Sequence, residues 1–172
     1  MNLEAYTSQL THELRPRTVV FLLKGDQVLL GYKKTGFGKG NYVGVGGKVE
    51  GDESIEEAAI REVQEETSIT PIGLIQLGIL RFYFPHVEDE SWNQEVHAFM
   101  SNTWEGNPTE TDELRPEWVS IDSIPFEQMW SDAPLWIPQV LAGQKVEGNF
   151  LFDEDLQVIE HQIDAISVVP SI

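Results

Sequence analysis

Glu62, Glu65 and Glu66 close the segment Ser54 to Thr67, whose remaining residues read as a helix with one apolar face. Ser54 and Glu57 open it as a capping box, the serine accepting from the backbone and the glutamate able to reach back. At about 100° per residue, Ile55, Ala59 and Val63 fall on one stripe that must face the core. Glu62 and Glu66 lie within roughly 20° of Ile55 on that wheel, and Glu65 sits at the stripe's edge. Glu56, Glu57, Arg61 and Gln64 take the outer side. The glutamates thus share the core face, at the helix end where the dipole disfavours negative charge, and repel one another at i, i+3 and i+4. Burying them unpaired is expensive. A divalent cation removes all three costs, and Mg²⁺ in particular takes oxygen ligands while keeping waters for substrate phosphates. A Glu-rich surface helix is the ordinary meaning of such a run, but a surface helix keeps its glutamates off the apolar stripe.

Gly44, Gly46 and Gly47 precede this helix, and glycine permits backbone shapes and close approaches that other residues resist. A loop of this kind offers carbonyl oxygens to a metal or amides to phosphate. It is not a P-loop, because Gly47-Lys48 is followed by Val49 and no glycine stands five residues before Gly47.

The elements that must position these groups form one domain of 172 residues. Hydrophobic residues make up 41% and charged residues 23%, as in a folded globular chain. Thr18 to Leu23 reads as a buried strand, Lys24-Gly25-Asp26 as a turn and Gln27 to Tyr32 as the returning strand. Ile72 to Phe84, Val96 to Met100 and Trp118 to Ile121 are further strands, and Ser123 to Trp130 and Pro134 to Leu141 short helical pieces. Val146 to Phe152 and Val158 to Ile163 make a closing hairpin that turns at Asp153-Glu154-Asp155. Many strands with one well-marked helix indicate an α+β domain over residues 16–172, preceded by an N-terminal extension, residues 1–15, with no assigned role.

Eleven basic against 29 acidic residues give a formal charge of −18, which repels a nucleic-acid polymer over most of the surface. A small phosphate-bearing substrate can still bind where a divalent metal neutralises the contact. The absence of cysteine excludes disulfides and thiol catalysis. No apolar run is long enough to span a membrane, and Met1 to Arg15 lacks the apolar centre of a secretory signal. The expected location is the cytosol, and the expected assembly a monomer or homodimer.

Gly47-x5-Glu53-x7-Arg61-Glu62-Val63-x-Glu65-Glu66-x-Ser68-Ile69 resembles the Nudix box. Every fixed position matches except the late glycine, which is Ser68 here and concerns a cap rather than the chemistry. The resemblance implies an α/β/α sandwich around a mixed β-sheet and hydrolysis of a nucleoside diphosphate linked to another group. It further implies Glu62, Glu65 and Glu66 as Mg²⁺ ligands, with the Gly46 carbonyl a further ligand and Mn²⁺ an open substitute. Arg61 would orient the glutamates through an ion pair with Glu53. Glu65, Glu66 and, from a loop outside the box, Glu113 are alternatives for the general base.

A longer likeness narrows the subfamily. Lys33-Lys34-Thr35-Gly36-Phe37-Gly38, the box, Arg115-Pro116-x-Trp118, Ile124-Pro125-Phe126-x-x-Met129-Trp130 and Trp136-Ile137-Pro138 follow one another. This order is similar to that of the animal MutT homologues that sanitise oxidised purine nucleoside triphosphates, and it covers Thr18 to Ile163. By that likeness Trp130 stacks on the base and Asp132 reads its edge, while Thr18, Lys33, Phe37, Val43 and Phe82 belong to the substrate-binding set. Val43 stands where the relatives have a pocket asparagine and Ala133 where they have a second aspartate. Each lost contact should weaken discrimination for an oxidised guanine by about 1–3 kcal/mol. Core packing competes with base contact as the reading of Trp130 and Trp136, and it is the expectation for Trp92 and Trp104. His12, His86, His97 and His161 show no metal-ligand spacing.

The expected reaction is Mg²⁺-dependent cleavage of a purine nucleoside triphosphate, oxidised or not, to monophosphate and pyrophosphate. Another Nudix substrate is the alternative, such as an unmodified dNTP or a dinucleoside polyphosphate. A nucleotide-sensing domain without catalysis is a third reading, against which the intact glutamates speak.

Overall fold

Alternate residues of Thr18 to Leu23 are buried on opposite faces of one sheet, and this decides where the helices go. In a computed structural model, which describes residues 1–170, the chain runs α1 (Leu3–Ser8), β1 (Arg15–Lys24), β2 (Gln27–Lys33), β3 (Tyr42–Val43), α2 (Ile55–Thr67), β4 (Thr70–Ile72), β5 (Ile75–Tyr83), β6 (Gln94–Ser101), β7 (Thr103–Glu105), β8 (Leu114–Ser120), α3 (Ala133–Leu141), β9 (Val146–Phe152) and β10 (Val158–Ala165). Eight strands form a mixed sheet in the order β10-β9-β5-β6-β1-β2-β3, with β8 also paired to β2. β1 runs parallel to β6, and β5 parallel to β9. The short strands β4 and β7 pair apart from it.

From β1, Val20 and Leu22 pack with Ala59 and Val63 of α2, whereas Phe21 packs with Trp136, Ile137 and Val140 of α3. The result is the α/β/α sandwich that the box implied. Several residues of each cluster are wholly buried, each such side chain contributing about 1.5–3 kcal/mol on leaving water.

The structure departs from the sequence reading at particular places. The strand expected over Ile72 to Phe84 is two strands, because Gly73 turns the chain with φ 64°. The helical piece expected over Ser123 to Trp130 is two 3-10 turns, Ile121–Ser123 and Phe126–Gln128, with Pro125 between them. The N-terminal segment carries α1, whose Tyr6 is buried against Tyr83 and Leu151 on the sheet face opposite Phe82 and Phe150. His97 is a satisfied core histidine, its ring nitrogens 3.0 Å from Gln76 Nε2 and 3.1 Å from Glu95 Oε1. Among the described residues no helix is long and apolar enough to cross a membrane.

Candidate active site

Ser54 caps α2 by accepting from the Glu57 N–H at 3.1 Å, while Glu57 itself is exposed. The helix ends where Ser68 takes the left-handed conformation, φ 67°, and donates its N–H to Gln64 O, as a glycine would at that position. Between these caps Ala59 and Val63 are buried, and Glu62 and Glu66 are drawn in beside them. The side chain of Glu62 is only 13% exposed.

The glycine loop lies directly over these carboxylates. Val45 O and Gly47 O accept from Val20 N and Thr18 N of β1 at 2.7 and 2.8 Å, which seats the loop against the strand. A Cβ on Gly46 would stand 2.0 Å from Thr18 O, and one on Gly47 would stand 2.4 Å from Glu62 Cδ. Gly46 therefore requires glycine for space, whereas at Gly47 the flexible Glu62 carboxylate would have to shift; neither position has a positive φ.

Arg61 crosses the outer flank of the site and binds four groups. It donates to both oxygens of Glu53, to Glu62 Oε1 at 3.0 Å, to Glu65 Oε2 at 3.1 Å and to Lys48 O at 2.8 Å. This anchors the loop to the helix, and it lowers the Glu53 pKa through the Arg61 hydrogen bond. Arg61 is thus not part of a simply solvated face, as the helical wheel suggested.

Glu66 is the strained member of the set. Burial, reinforced by the charges of Glu62 and Glu113, pushes its pKa up to about 8, against the pull of the Gly46 N–H and Lys33. Glu62 is ion-paired to Arg61, which it shares with Glu53 and Glu65, whereas Glu66 feels only the more distant charge of Lys33. Glu65 is 59% exposed and turned to Arg61, and among the described residues no three acidic or histidine side chains converge closely enough to hold a metal as they stand. Two part-buried carboxylates facing a glycine loop are the donor chemistry a hard divalent cation takes, so the residues present fit such an ion.

Against the glycine loop opens a cavity of about 400 Å³, within the range of nucleotide-sized pockets. Arg17, Thr18, Lys33, Gly46 and Gly47 supply polar groups to its lining, with the Lys33 side chain and Trp130 both beside Gly38. Its far end is aromatic: Phe37 stacks on Trp130 with ring centroids 5.3 Å apart, and Phe82, Phe84 and Trp92 continue the wall. Asp132 lies in this wall, only 7% exposed, and accepts from Trp136 Nε1 at 2.7 Å. Burial pushes its pKa up to about 6.

Residues 13–140 match the NUDIX domain. The chain belongs to the Nudix family. Over 149 residues it is 42% identical to the oxidized purine nucleoside triphosphate hydrolase of Danio rerio, covering 87% of this chain and 94% of that protein. The mouse protein of the same name is 38% identical, also over 149 residues, with coverages of 85% and 92%. Among solved structures, a mutator MutT protein from Bacillus halodurans superposes with a TM-score of 0.75 at 26% identity, over 88% of this chain and 98% of that one.

Set on this Nudix frame, every residue expected to bind substrate lines the one cavity: Thr18, Lys33, Phe37, Val43, Phe82, Trp130 and Asp132. Among the residues expected to act in catalysis, Glu53 and Arg61 are joined by direct hydrogen bonds, Arg61 also bonds the expected metal ligand Glu62, and Glu113 is near enough to raise the Glu66 pKa. Gly46 presents its N–H to Glu66, and Glu65 shares Arg61 Nη1 with Glu62. Four lining residues had no sequence signal of their own: Arg17, Gln94, Trp92 and Leu156. Trp92, expected in the core, is 39% exposed at the cavity mouth. Trp136, for which core packing and base contact competed, is buried in the core and donates to Asp132, a contact the sequence did not suggest.

Proposed function

We propose that this chain is a divalent-metal-dependent pyrophosphohydrolase that cleaves purine nucleoside triphosphates, oxidised purines among them, to the monophosphate and pyrophosphate. One observation carries the reading: a single cavity joins the Phe37–Trp130 stack and Asp132 to the glycine loop over Glu62 and Glu66. The names of the vertebrate relatives support the same substrate class.

In this reading the base lies along Trp130 and Phe37, where aromatic contact gives affinity to any base. Asp132, kept largely protonated below about pH 6 by burial, offers a donor or an acceptor to the base edge and so selects among bases. Val43 replaces a polar contact with an apolar wall, which narrows the preference for an oxidised guanine. Lys33 and Arg17 neutralise phosphate oxygens, and Gly46 and Gly47 line the same cavity with Glu62 packed against Gly47.

Glu62 and Glu66 would hold Mg²⁺, or Mn²⁺ in its place, together with the Gly46 carbonyl. Glu65, paired with Arg61 in this structure, is the third carboxylate of the proposed set. When bound, the ion lowers the pKa of an attacking water and screens the phosphates. Arg61 keeps Glu62 and Glu53 in register, and Glu65, Glu66 or Glu113 takes the proton from water. We further propose a cytosolic monomer or homodimer that acts on free nucleotides rather than on a nucleic-acid polymer.

The test is pyrophosphate release with Mg²⁺ over dNTPs, 8-oxo-dGTP, 2-hydroxy-dATP and diadenosine polyphosphates. A kcat/KM for one oxidised purine well above its parent is expected. A flat profile over triphosphates, or a preference for the dinucleotides, removes the sanitising role and keeps the metal chemistry. Glu66→Gln should cut turnover by at least about 10²-fold, as loss of a metal ligand or base does. Near-normal turnover in both Glu65→Gln and Glu66→Gln would refute the site.

A further inference from the structure

The aromatic end of the cavity is completed by a residue that the sheet does not hold in place. Trp92 belongs to a three-residue 3-10 turn, Glu90–Trp92, in the connection between β5 and β6. Its indole meets Phe37 edge-on at 5.6 Å and Phe84 edge-on at 5.9 Å, and it lines the same cavity as Trp130. Phe37, Trp92 and Trp130 thus frame the mouth from different directions. A planar base entering between them would gain an edge contact from Trp92 in addition to the stack on Trp130.

What fixes that turn is the N-terminal segment. The Glu90 carboxylate accepts from the Thr11 N–H at 2.9 Å and from the Thr11 hydroxyl, and it pairs with His12 Nδ1 at 3.1 Å. These bonds, those of Thr11 first, hold the Glu90 carboxyl down at about 2. On the other side of Trp92, buried Asn93 donates to the Tyr6 hydroxyl at 3.0 Å and accepts from Phe84 N at 2.9 Å, and its carbonyl accepts from Arg15 N at 3.1 Å. Tyr6 is itself packed against Tyr83, with ring centroids 6.1 Å apart. The residues flanking Trp92 are therefore clasped by Tyr6, Thr11, His12 and Arg15, and the first three lie outside the matched family region, 13–140.

We propose that Trp92 contacts the base and sets specificity, and that the N-terminal segment is a strap that positions it through Glu90 and Asn93. The proposal rests on the purine pocket described above. Trp92 is at the aromatic end, away from the Glu62–Glu66 pair, so its loss should act on base affinity rather than on the chemical step. The strap residues touch no substrate. They act by keeping the turn, and with it the indole, in place.

The test uses the full chain and binding rather than turnover as its first readout. Calorimetric titration with dGMP and 8-oxo-dGMP is compared for wild type, Trp92→Ala, Trp92→Phe, Thr11→Val and Glu90→Ala, each checked for an unchanged thermal transition. Trp92→Ala is expected to weaken nucleotide binding at least about fivefold, the low end of what one base–aromatic contact is worth. Trp92→Phe should restore most of it, and Thr11→Val and Glu90→Ala should each weaken binding about twofold or more. Inhibition of turnover by tripolyphosphate, which has no base, should be the same in all five proteins, and the losses should appear in KM with kcat kept. Wild-type affinity in Trp92→Ala, or an equal loss of tripolyphosphate inhibition, overturns the role of Trp92. Wild-type affinity in both Thr11→Val and Glu90→Ala overturns the strap. Failure of the wild-type protein to bind either monophosphate sinks the purine pocket itself, and this inference with it.

Discussion

Asp132 shows how one side chain can be both an asset and a cost. It is buried, with Trp136 Nε1 donating to it at 2.7 Å, and burial pushes its pKa up to about 6 from an ordinary value of 3.8. The folded state therefore favours the protonated acid. The carboxyl costs no stability below about pH 4, where both states are neutral, and an increasing amount as pH rises through 6. Asp132→Asn keeps an acceptor for Trp136 and removes the charge. The variant should melt roughly 2–6 °C above wild type at pH 8, with the gap closing by pH 4, as thermal unfolding over pH would show. A gap of the same size at both pH values would mean that the charge is not its cause. The position of Asp132 came from likeness to a family, whereas Glu62 and Glu66 were legible from the helical wheel alone. Trp92 was legible from neither, because the mouth of a pocket is made by tertiary contacts that leave no period in the sequence.

The pairing of α2 with the glycine loop is the element on which the site depends, and it was readable for a physical reason. A capped, strongly periodic helix carries its own boundaries, so Ser54 and Thr67 marked it closely. The break at Gly73 and the 3-10 turns around Pro125 were not readable, since apolar runs and short helical pieces look alike without their partners. Nor did α1 show itself, being only six residues whose burial rests on Tyr83 and Leu151 far along the chain. The two loop glycines make separable demands. A Cβ at Gly46 meets the Thr18 backbone at 2.0 Å, which cannot yield without moving β1. A Cβ at Gly47 meets the free end of Glu62, which can swing aside. Gly46→Ala should therefore cost stability by about 1–3 kcal/mol or more, as overpacking does. Gly47→Ala should leave the melting temperature within a few degrees and cut turnover by about 10²-fold through a displaced Glu62. Denaturant unfolding and pyrophosphate release on the two variants would separate these effects. Equal losses of both kinds in both variants would show that the loop acts as one unit.

At the scale of the whole molecule, a formal charge of −18 and the part-buried Glu66 carboxyl pull in the same direction: both make the metal-free protein less stable as pH rises. For Glu66 the sign is definite. Its folded pKa is pushed up to about 8 from an ordinary 4.5, so the metal-free fold is undisturbed below about pH 4.5 and loses stability as pH rises through 8. A divalent cation held at the proposed site would favour the ionised form of Glu66 and restore what is lost. Mg²⁺ should accordingly raise the melting temperature more at pH 8.5 than at pH 6, and binding near pH 7 should release up to about one proton per site. General screening of the surface charge also stabilises, but it depends on ionic strength, so NaCl at matched ionic strength isolates it. In Glu66→Gln the Mg²⁺-specific increment should be small and flat with pH, leaving only the salt effect. If Mg²⁺ and matched NaCl act alike on the wild-type protein at both pH values, the cation is felt by the whole acidic surface and not by the pair. The molecule's excess of negative charge would then be unconnected to its site. A Mg²⁺ increment that grows with pH and disappears with Glu66 would instead mean that the ion serves the fold and the reaction at one place. The carboxylate that costs the fold stability at high pH would then be the one that commits it to the metal.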